Sequence, residues 1–256
     1  LKLHYKLYTT YMKIFVTGSR GYLGKSLVDK IGGDNRIIEY DVTNGDDILD
    51  YERLSNSMKT CDIVVHAAAI PKPDNTKTFD DYFSNNCIGT LNVVNACVEN
   101  RVKKLIYISS TAYYGAEVGI PVRLPLRENN KIFPMYLKVD DIECGDGSLA
   151  YPESKIIAEN ILAFYGLAKK IPITILRFPR IADEDGPYGT RVSMNNAIQG
   201  IEKSIRSRDI FWYETFNIAD ELDSIDISKA KEMLGYDPKT KFKVGVDKFI
   251  DWLKDN

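Results

Sequence analysis

The chain is poor in the residues from which metal centres and disulfide frameworks are built. Its 256 residues include four cysteines and two histidines. Cys61, Cys87, Cys97 and Cys144 have the spacing of neither a zinc knuckle nor a redox pair, and His4 and His66 are too few for a histidine-rich site. No metal is expected. Scattered cysteines of this kind are expected to be reduced, which points to the cytoplasm. Neither sign of charge dominates: 34 basic side chains face 36 acidic ones, for a net charge of -2. A broad basic surface for nucleic acid or an anionic membrane is therefore absent. No apolar run is long enough to span a bilayer.

What is present is an ordinary globular composition, 44% hydrophobic and 27% charged. The length suits one α/β domain with an appended lobe, or two small domains, and needs no covalent staple. Along the chain, strand patterns alternate with helix patterns. Residues 13–17, 36–40, 63–66, 104–108 and 173–178 read as strands. Residues 22–31, 82–100, 154–165, 192–204, 228–234 and 244–254 read as helices. Such alternation implies a mostly parallel sheet with right-handed crossovers, and the unbroken apolar runs fit strands covered on both faces. The expected organisation is a doubly wound, Rossmann-type dinucleotide-binding domain over 12–178. A small C-terminal substrate lobe, mixed with the last core elements, is expected over 179–256. Residues 1–11 read as an extension before a natural start at Met12, or as a short arm packed on the body.

The first strand runs into Gly18-Ser19-Arg20-Gly21-Tyr22-Leu23-Gly24, which opens a helix. Gly18 permits the tight turn. Gly21 lets backbone amides approach a pyrophosphate, and Gly24 lets helix and strand pack closely. The helix N-terminus adds unpaired N–H donors and partial positive charge. Asp41 ends the second strand about twenty residues on, where an acid accepts hydrogen bonds from the adenosine ribose and favours NAD. Arg20 argues the other way, because a guanidinium there can reach the 2′-phosphate of NADP. A carboxylate beside that phosphate is repulsive, which weighs for NAD. Asp47 is a candidate contact to the adenine amino group, or a turn acid.

Tyr151-Pro152-Glu153-Ser154-Lys155 places tyrosine and lysine four apart, on one face of a helical start. A tyrosine hydroxyl, with a pKa of about 10, is a poor base at neutral pH until a nearby cation stabilises tyrosinate. The pair can then take a proton from a substrate hydroxyl while hydride leaves to a nicotinamide. Ser110 follows the strand at 104–108, at the sheet edge where chemistry gathers in such folds, and can hydrogen-bond the reacting oxygen.

At this point the chain resembles the extended short-chain dehydrogenase/reductase family, in its NAD-dependent epimerase/dehydratase branch. The resemblance is carried by the glycine turn, His66-Ala67-Ala68-Ala69, Asn86 to Thr90, Ser109 to Gly115, Tyr151 to Lys155 and Leu176-Arg177-Phe178. Asp226 to Ala230 and Leu234 to Pro238 resemble the family's tail. It implies Tyr151 as acid/base, Lys155 as its partner and Ser110 as the catalytic hydroxyl. Ala67, Ala68, Ala69 and Ser109 would line the cofactor, with Asn86 near the nicotinamide half and Pro179 near the carboxamide. Tyr151 and Lys155 would touch the cofactor as well. His66 would be a strand-end residue and not a ligand.

Two departures narrow the expectation. The family's dehydratases carry an Asp-Glu pair directly after the catalytic threonine, where this chain has Thr111 and Ala112. Dehydration is therefore disfavoured. The stretch between the Arg177 strand and the tail is also short, which favours a smaller substrate. Thr111 and Arg191 are the candidate substrate contacts, Arg191 through a carboxylate or phosphate. Residues 132–147 read as a lid or a dimer contact. The reading is an NAD-dependent enzyme that oxidises a sugar or nucleotide-sugar hydroxyl, as an epimerase or as a compact aldose or uronate dehydrogenase, and is expected to be a homodimer. A non-catalytic dinucleotide sensor is the alternative that Tyr151 and Lys155 oppose.

Overall fold

The computed structural model describes residues 11–115, 122–130, 146–182, 191–221 and 224–239. The extension before residue 11, most of 132–147, the turn at 183–190 and the expected last helix at 244–254 lie outside the described residues, as do His4 and Cys144.

The chain begins β1 (Lys13–Thr17), α1 (Tyr22–Ile31), β2 (Arg36–Tyr40), α2 (Tyr51–Ser57) and β3 (Ile63–His66). Then come α3 (Phe79–Tyr82), a π-helical stretch (Phe83–Ile88), α4 (Gly89–Glu99) and β4 (Lys104–Ser110). After α5 (Asp146–Leu167) and β5 (Ile173–Phe178) follow the two short strands β6 (Arg180–Ile181) and β7 (Arg191–Val192). The described part closes with α6 (Met194–Arg206), β8 (Glu214–Asn217) and α7 (Ser228–Leu234). Six strands form one sheet in the order β2-β1-β3-β4-β5-β8, and every pairing is parallel.

The strands are apolar on both faces because both faces are covered. In β1, Ile14 and Val16 join the core beneath α1 and α6, while Phe15 joins the core beneath α2, α4 and α5. The same split runs through β4, with Ile106 on one side and Leu105 and Tyr107 on the other. The chain leaves β1 for β2 on one side and returns to β3 on the other. That reversal opens a crevice at the carboxyl ends of β1 and β3, the place where doubly wound sheets bind ligands.

Three elements differ from the sequence reading. The helix expected over 82–100 is three segments with a π-helical stretch in the middle, since periodicity alone does not separate a π-turn from an α-turn. Helix α5 starts at Asp146 and carries Pro152 inside it, so Tyr151 lies within the helix and not at its opening. β8 was not foreseen, because Glu214-Thr215-Phe216-Asn217 is four residues long and shows no alternation. β8 extends the main sheet, and α6 packs against α1.

Candidate active site

The glycine turn is shaped by what it cannot hold. Gly18 has φ +67°, and a Cβ there would stand 2.7 Å from the Ala68 amide nitrogen. A Cβ on Gly24 would stand 2.0 Å from the Gly18 carbonyl oxygen. The N–H of Gly18 donates to Tyr40 O at 2.9 Å, and that of Gly21 to Gly18 O at 3.1 Å. Gly21 is the N-cap of α1 and provides no side chain to cap it, so the first turn keeps its N–H donors facing the crevice end. Ser19 Oγ is buried and has no hydrogen-bond partner among the described residues. Open amides at a helix N-terminus, an unpaired buried hydroxyl and a close backbone approach suit a pyrophosphate. Tyr22 is exposed, whereas Leu23 turns into the core.

The end of the crevice beside the glycine turn is tied together by Asp41. Its Oδ2 accepts the Arg20 N–H at 2.9 Å, and its Oδ1 accepts the Thr43 N–H at 3.0 Å and hydroxyl at 2.8 Å. Burial opposes the charge on Asp41, but the Thr43 and Arg20 donors outweigh it and hold the carboxyl below its ordinary range. The Arg20 guanidinium pairs with Glu39, Nε to Oε2 at 3.0 Å. The sequence reading missed Glu39. Its signal was available, since it lies two residues before Asp41 and so on the same face of an edge strand. Asp47 is exposed, and its Oδ1 accepts the Leu49 N–H at 2.9 Å, which is the turn role.

The middle of the crevice is built from the 67–70 segment. Ala67 N donates to Thr17 O, and Ala68 N donates to Thr17 Oγ1. Asn86, in the π-helical stretch, accepts the Ile70 N–H at 2.8 Å and donates to Ile70 O at 3.2 Å and Ser154 Oγ at 2.8 Å. Ser154 donates to Tyr151 O at 2.7 Å. One amide side chain thus links the crevice wall to the helix that carries Tyr151 and Lys155.

At the reaction end, Tyr151 is buried beside Ile70, Tyr82 and Ala112. Ala112 belongs to the short turn that Ser110 caps, with Ser110 Oγ accepting the Ala112 N–H at 3.1 Å. Ala112 thus joins the turn that Ser110 caps, in which Thr111 is buried too, to the wall around Tyr151. Lys155, one turn after Tyr151, is buried and donates to Ile108 O at 3.1 Å and Tyr107 Oη at 3.4 Å. Burial lowers its pKa to about 8, with Glu159 and Cys87 pulling the other way. Ser109 donates its hydroxyl to Glu159 Oε1 at 2.6 Å, one turn of α5 beyond Lys155. By strand alternation it shares a face of β4 with Tyr107, opposite to Ser110. Pro179, after β5, is buried at the same sheet edge. Arg191 is buried in β7, which pairs with β6.

Among the described residues, no cluster of three His, Cys, Asp or Glu side chains is arranged to hold a metal. No described helix is long and apolar enough to cross a membrane.

Comparison with known proteins bears on this site. The family model described as NAD dependent epimerase/dehydratase family matches residues 14–198. UDP-glucose 4-epimerase of Lactobacillus helveticus is 28% identical over 219 residues, 77% of this chain and 61% of the relative. The chain spans a little over half the length of the curated relatives it matches. Among solved structures, UDP-N-acetylglucosamine 4-epimerase from Bacillus cereus is 25% identical, covering 93% of this chain and 97% of that one, with a TM-score of 0.71. The UDP-glucuronic acid 4-epimerase from Bacillus cereus, in complex with UDP-glucuronic acid and NAD, is 20% identical, with coverage of 95% and 99% and a TM-score of 0.73.

Proposed function

Because the chain belongs to the NAD dependent epimerase/dehydratase family, we propose that it is an NAD-dependent epimerase that inverts a hydroxyl-bearing carbon of a nucleotide sugar. The observation that carries this reading is the buried Tyr151–Lys155 helix face set against Ser110, at the end of a crevice whose other end is an open phosphate turn. The epimerase relatives support the substrate class.

In this reading, the glycine turn and the N-terminus of α1 hold the pyrophosphate. Asp41 orders the turn through Arg20 N and receives the adenosine ribose. Bound NAD supplies the hydride acceptor and, on return, the hydride donor. Tyr151 removes the proton from the sugar hydroxyl and gives it back after the keto-sugar has rotated. Lys155 stabilises the tyrosinate and holds the nicotinamide ribose, and Ser110 donates its hydrogen bond to the reacting oxygen. Thr111, beside Ser110, and Arg191 are assigned to the sugar nucleotide, Arg191 through an anionic group. The NAD preference is supported by the two carboxylates at the adenosine end, Asp41 and Glu39, the second of which neutralises Arg20. Residence in the cytoplasm and a homodimer complete the proposal. The exposed apolar side chains Phe79, Phe83 and Ile88, which lie along consecutive helical turns, support the dimer.

One observation favours a second reading. Only residues 179–193 separate β5 from α6. So short a segment leaves little chain to enclose a nucleotide, and an aldose or uronate dehydrogenase with a small substrate needs less. A panel of UDP-sugars, free aldoses and uronates separates the two. An altered sugar without net NADH is the epimerase result, and stoichiometric NADH from a free sugar is the dehydrogenase result. In either case Tyr151→Phe should cost about a thousandfold in kcat with NAD binding retained. Unchanged turnover in that variant would refute the catalytic assignment.

A further inference from the structure

A row of polar side chains crosses the sheet beneath the crevice. Thr17, His66 and Tyr107 occupy matched register positions on β1, β3 and β4. Two residues earlier on the same face, the row is Phe15, Val64 and Leu105, all buried and apolar. An apolar row needs only packing. A buried polar row needs every donor and acceptor matched.

The proton positions follow by elimination. Thr90 Oγ1 lies 2.5 Å from the Asn86 carbonyl oxygen. A carbonyl only accepts, so the Thr90 proton lies there, and its lone pairs serve its other partner. Among the described residues that partner is His66 Nε2, at 3.0 Å. Burial pushes His66 down to about 3, so the ring is neutral, with one donor and one acceptor. It is therefore protonated on Nε2, and Nδ1 accepts from Thr17 Oγ1 at 2.8 Å. Thr17 in turn accepts the Ala68 N–H at 3.2 Å. Burial also pushes Tyr107 well above its ordinary value, so it keeps its proton. What remains on Tyr107 Oη is acceptor capacity, and Lys155 Nζ points at it from 3.4 Å.

The Lys155 ammonium has three protons. Ile108 O takes one and Tyr107 Oη a second. The third is left for the cofactor side. The groups facing Lys155 from its surroundings are Glu159 and Tyr151 on α5, Cys87 from the π-helical stretch, Tyr107 from β4 and neutral His66 from β3. Of these, Glu159 carries the fixed negative charge, and it is already paired with Arg177.

We propose that Tyr107, packed beside the His66 ring at 5.5 Å, is a positioning residue for Lys155, whose ammonium it keeps charged and whose remaining N–H it keeps on the cofactor side. The inference rests on Lys155 as the partner of Tyr151, but its first readout does not. Tyr107→Phe removes the acceptor and keeps the ring, whose centroid is 5.1 Å from the ammonium. In the full chain labelled with 13C-lysine, Lys155 is identified by loss of its signal in Lys155→Met and titrated by NMR. Tyr107→Phe should lower the Lys155 pKa by about one unit, as loss of a hydrogen bond to the charged form requires. Tyr107→Leu should shift it the same way, and Tyr107→Gln, which keeps an acceptor, should hold it near the wild-type value. The Leu and Gln variants carry the test should Tyr107→Phe not fold.

With a turned-over sugar in hand, the alkaline limb of kcat/KM should move down with the Lys155 titration. Activity falls as pH rises because the ammonium is the working form. A Lys155 titration unmoved in Tyr107→Phe and Tyr107→Leu would overturn the inference. A shifted titration in a protein that turns over no sugar would uphold the Tyr107 assignment and sink the catalytic reading.

Discussion

Two arginine–glutamate pairs stand at opposite ends of the crevice, and their surroundings make them different devices. At the adenosine end, Arg20 and Glu39 meet at 3.0 Å with side chains 53% and 35% exposed. At the reaction end, Arg177 and Glu159 meet at 2.6 Å with 3% and 1% exposed. The first pair is screened by water and is worth roughly 0–1 kcal/mol to stability. The second is a fork, with Arg177 Nε and Nη2 on the two oxygens of Glu159. It also gathers Ser109, the Tyr114 hydroxyl and Glu128 O, while Tyr114 reaches Asn217. One carboxylate thereby ties α5 to β4 and β5, and the network continues to β8. The exposed pair can be exchanged at little cost to the fold, so it is free to set selectivity. The buried pair cannot, so it sets where the helix of Tyr151 and Lys155 sits.

The largest expected effect comes from breaking the buried pair. Arg177→Met leaves Glu159 charged, dry and unpaired, at a cost of about 3–5 kcal/mol in urea unfolding. Arg177→Met combined with Glu159→Leu should recover most of that loss, because the desolvation cost disappears with the charge. Equal losses in the single and double variants would show that the fork is incidental. Next in size is Gly24→Ala. Its methyl would stand 2.0 Å from a backbone oxygen, so the turn must move. Stability should fall by about 1–3 kcal/mol, and NADH binding, followed by fluorescence, should weaken far more than the stability loss explains. Retained affinity would separate the turn from the cofactor.

The sequence reading named the glycine turn and Asp41 at the exposed end and Ser110, Tyr151 and Lys155 at the buried end, but neither Glu39 nor the Glu159–Arg177 fork. Gly18, Gly21, Gly24 and Asp41 act through backbone shape and strand endings, which are local features that a linear pattern preserves. β1, α1, β2, β3 and β5 fall where the apolar runs and glycines put them. Glu159 reads in sequence as one more solvated helix acid. Its partner stands 18 residues away on β5, and a pair between a helix and a strand leaves no local trace. The available signal was the near-continuous apolar character of α5, since a helix apolar all round is buried and its central carboxylate must be paired. Pro152 hid the start of the same helix, because a proline inside a helix removes an N–H and reads as a boundary. Ser109 was read as a cofactor contact from the family resemblance, and the donation of its hydroxyl to Glu159 was not foreseen. Tyr107 was read as a core strand residue, and its polar edge becomes visible only beside His66 and Lys155.

The smallest effect tests the exposed end. Glu39→Gln should change stability by no more than about 0.5 kcal/mol, the usual scale for a surface pair. Its consequence lies in selectivity. With its partner neutral, the Arg20 guanidinium is available to a 2′-phosphate, and one negative charge near that phosphate is gone. NADPH should then bind several-fold more tightly, with NADH little changed. In an Arg20→Ala background the Glu39→Gln gain should shrink to the part that charge repulsion alone supplies. A full gain without Arg20 would show that Glu39 acts on the phosphate directly. No gain at all would leave the discrimination to Asp41, whose carboxylate stays engaged by Arg20 N and Thr43 in every one of these variants.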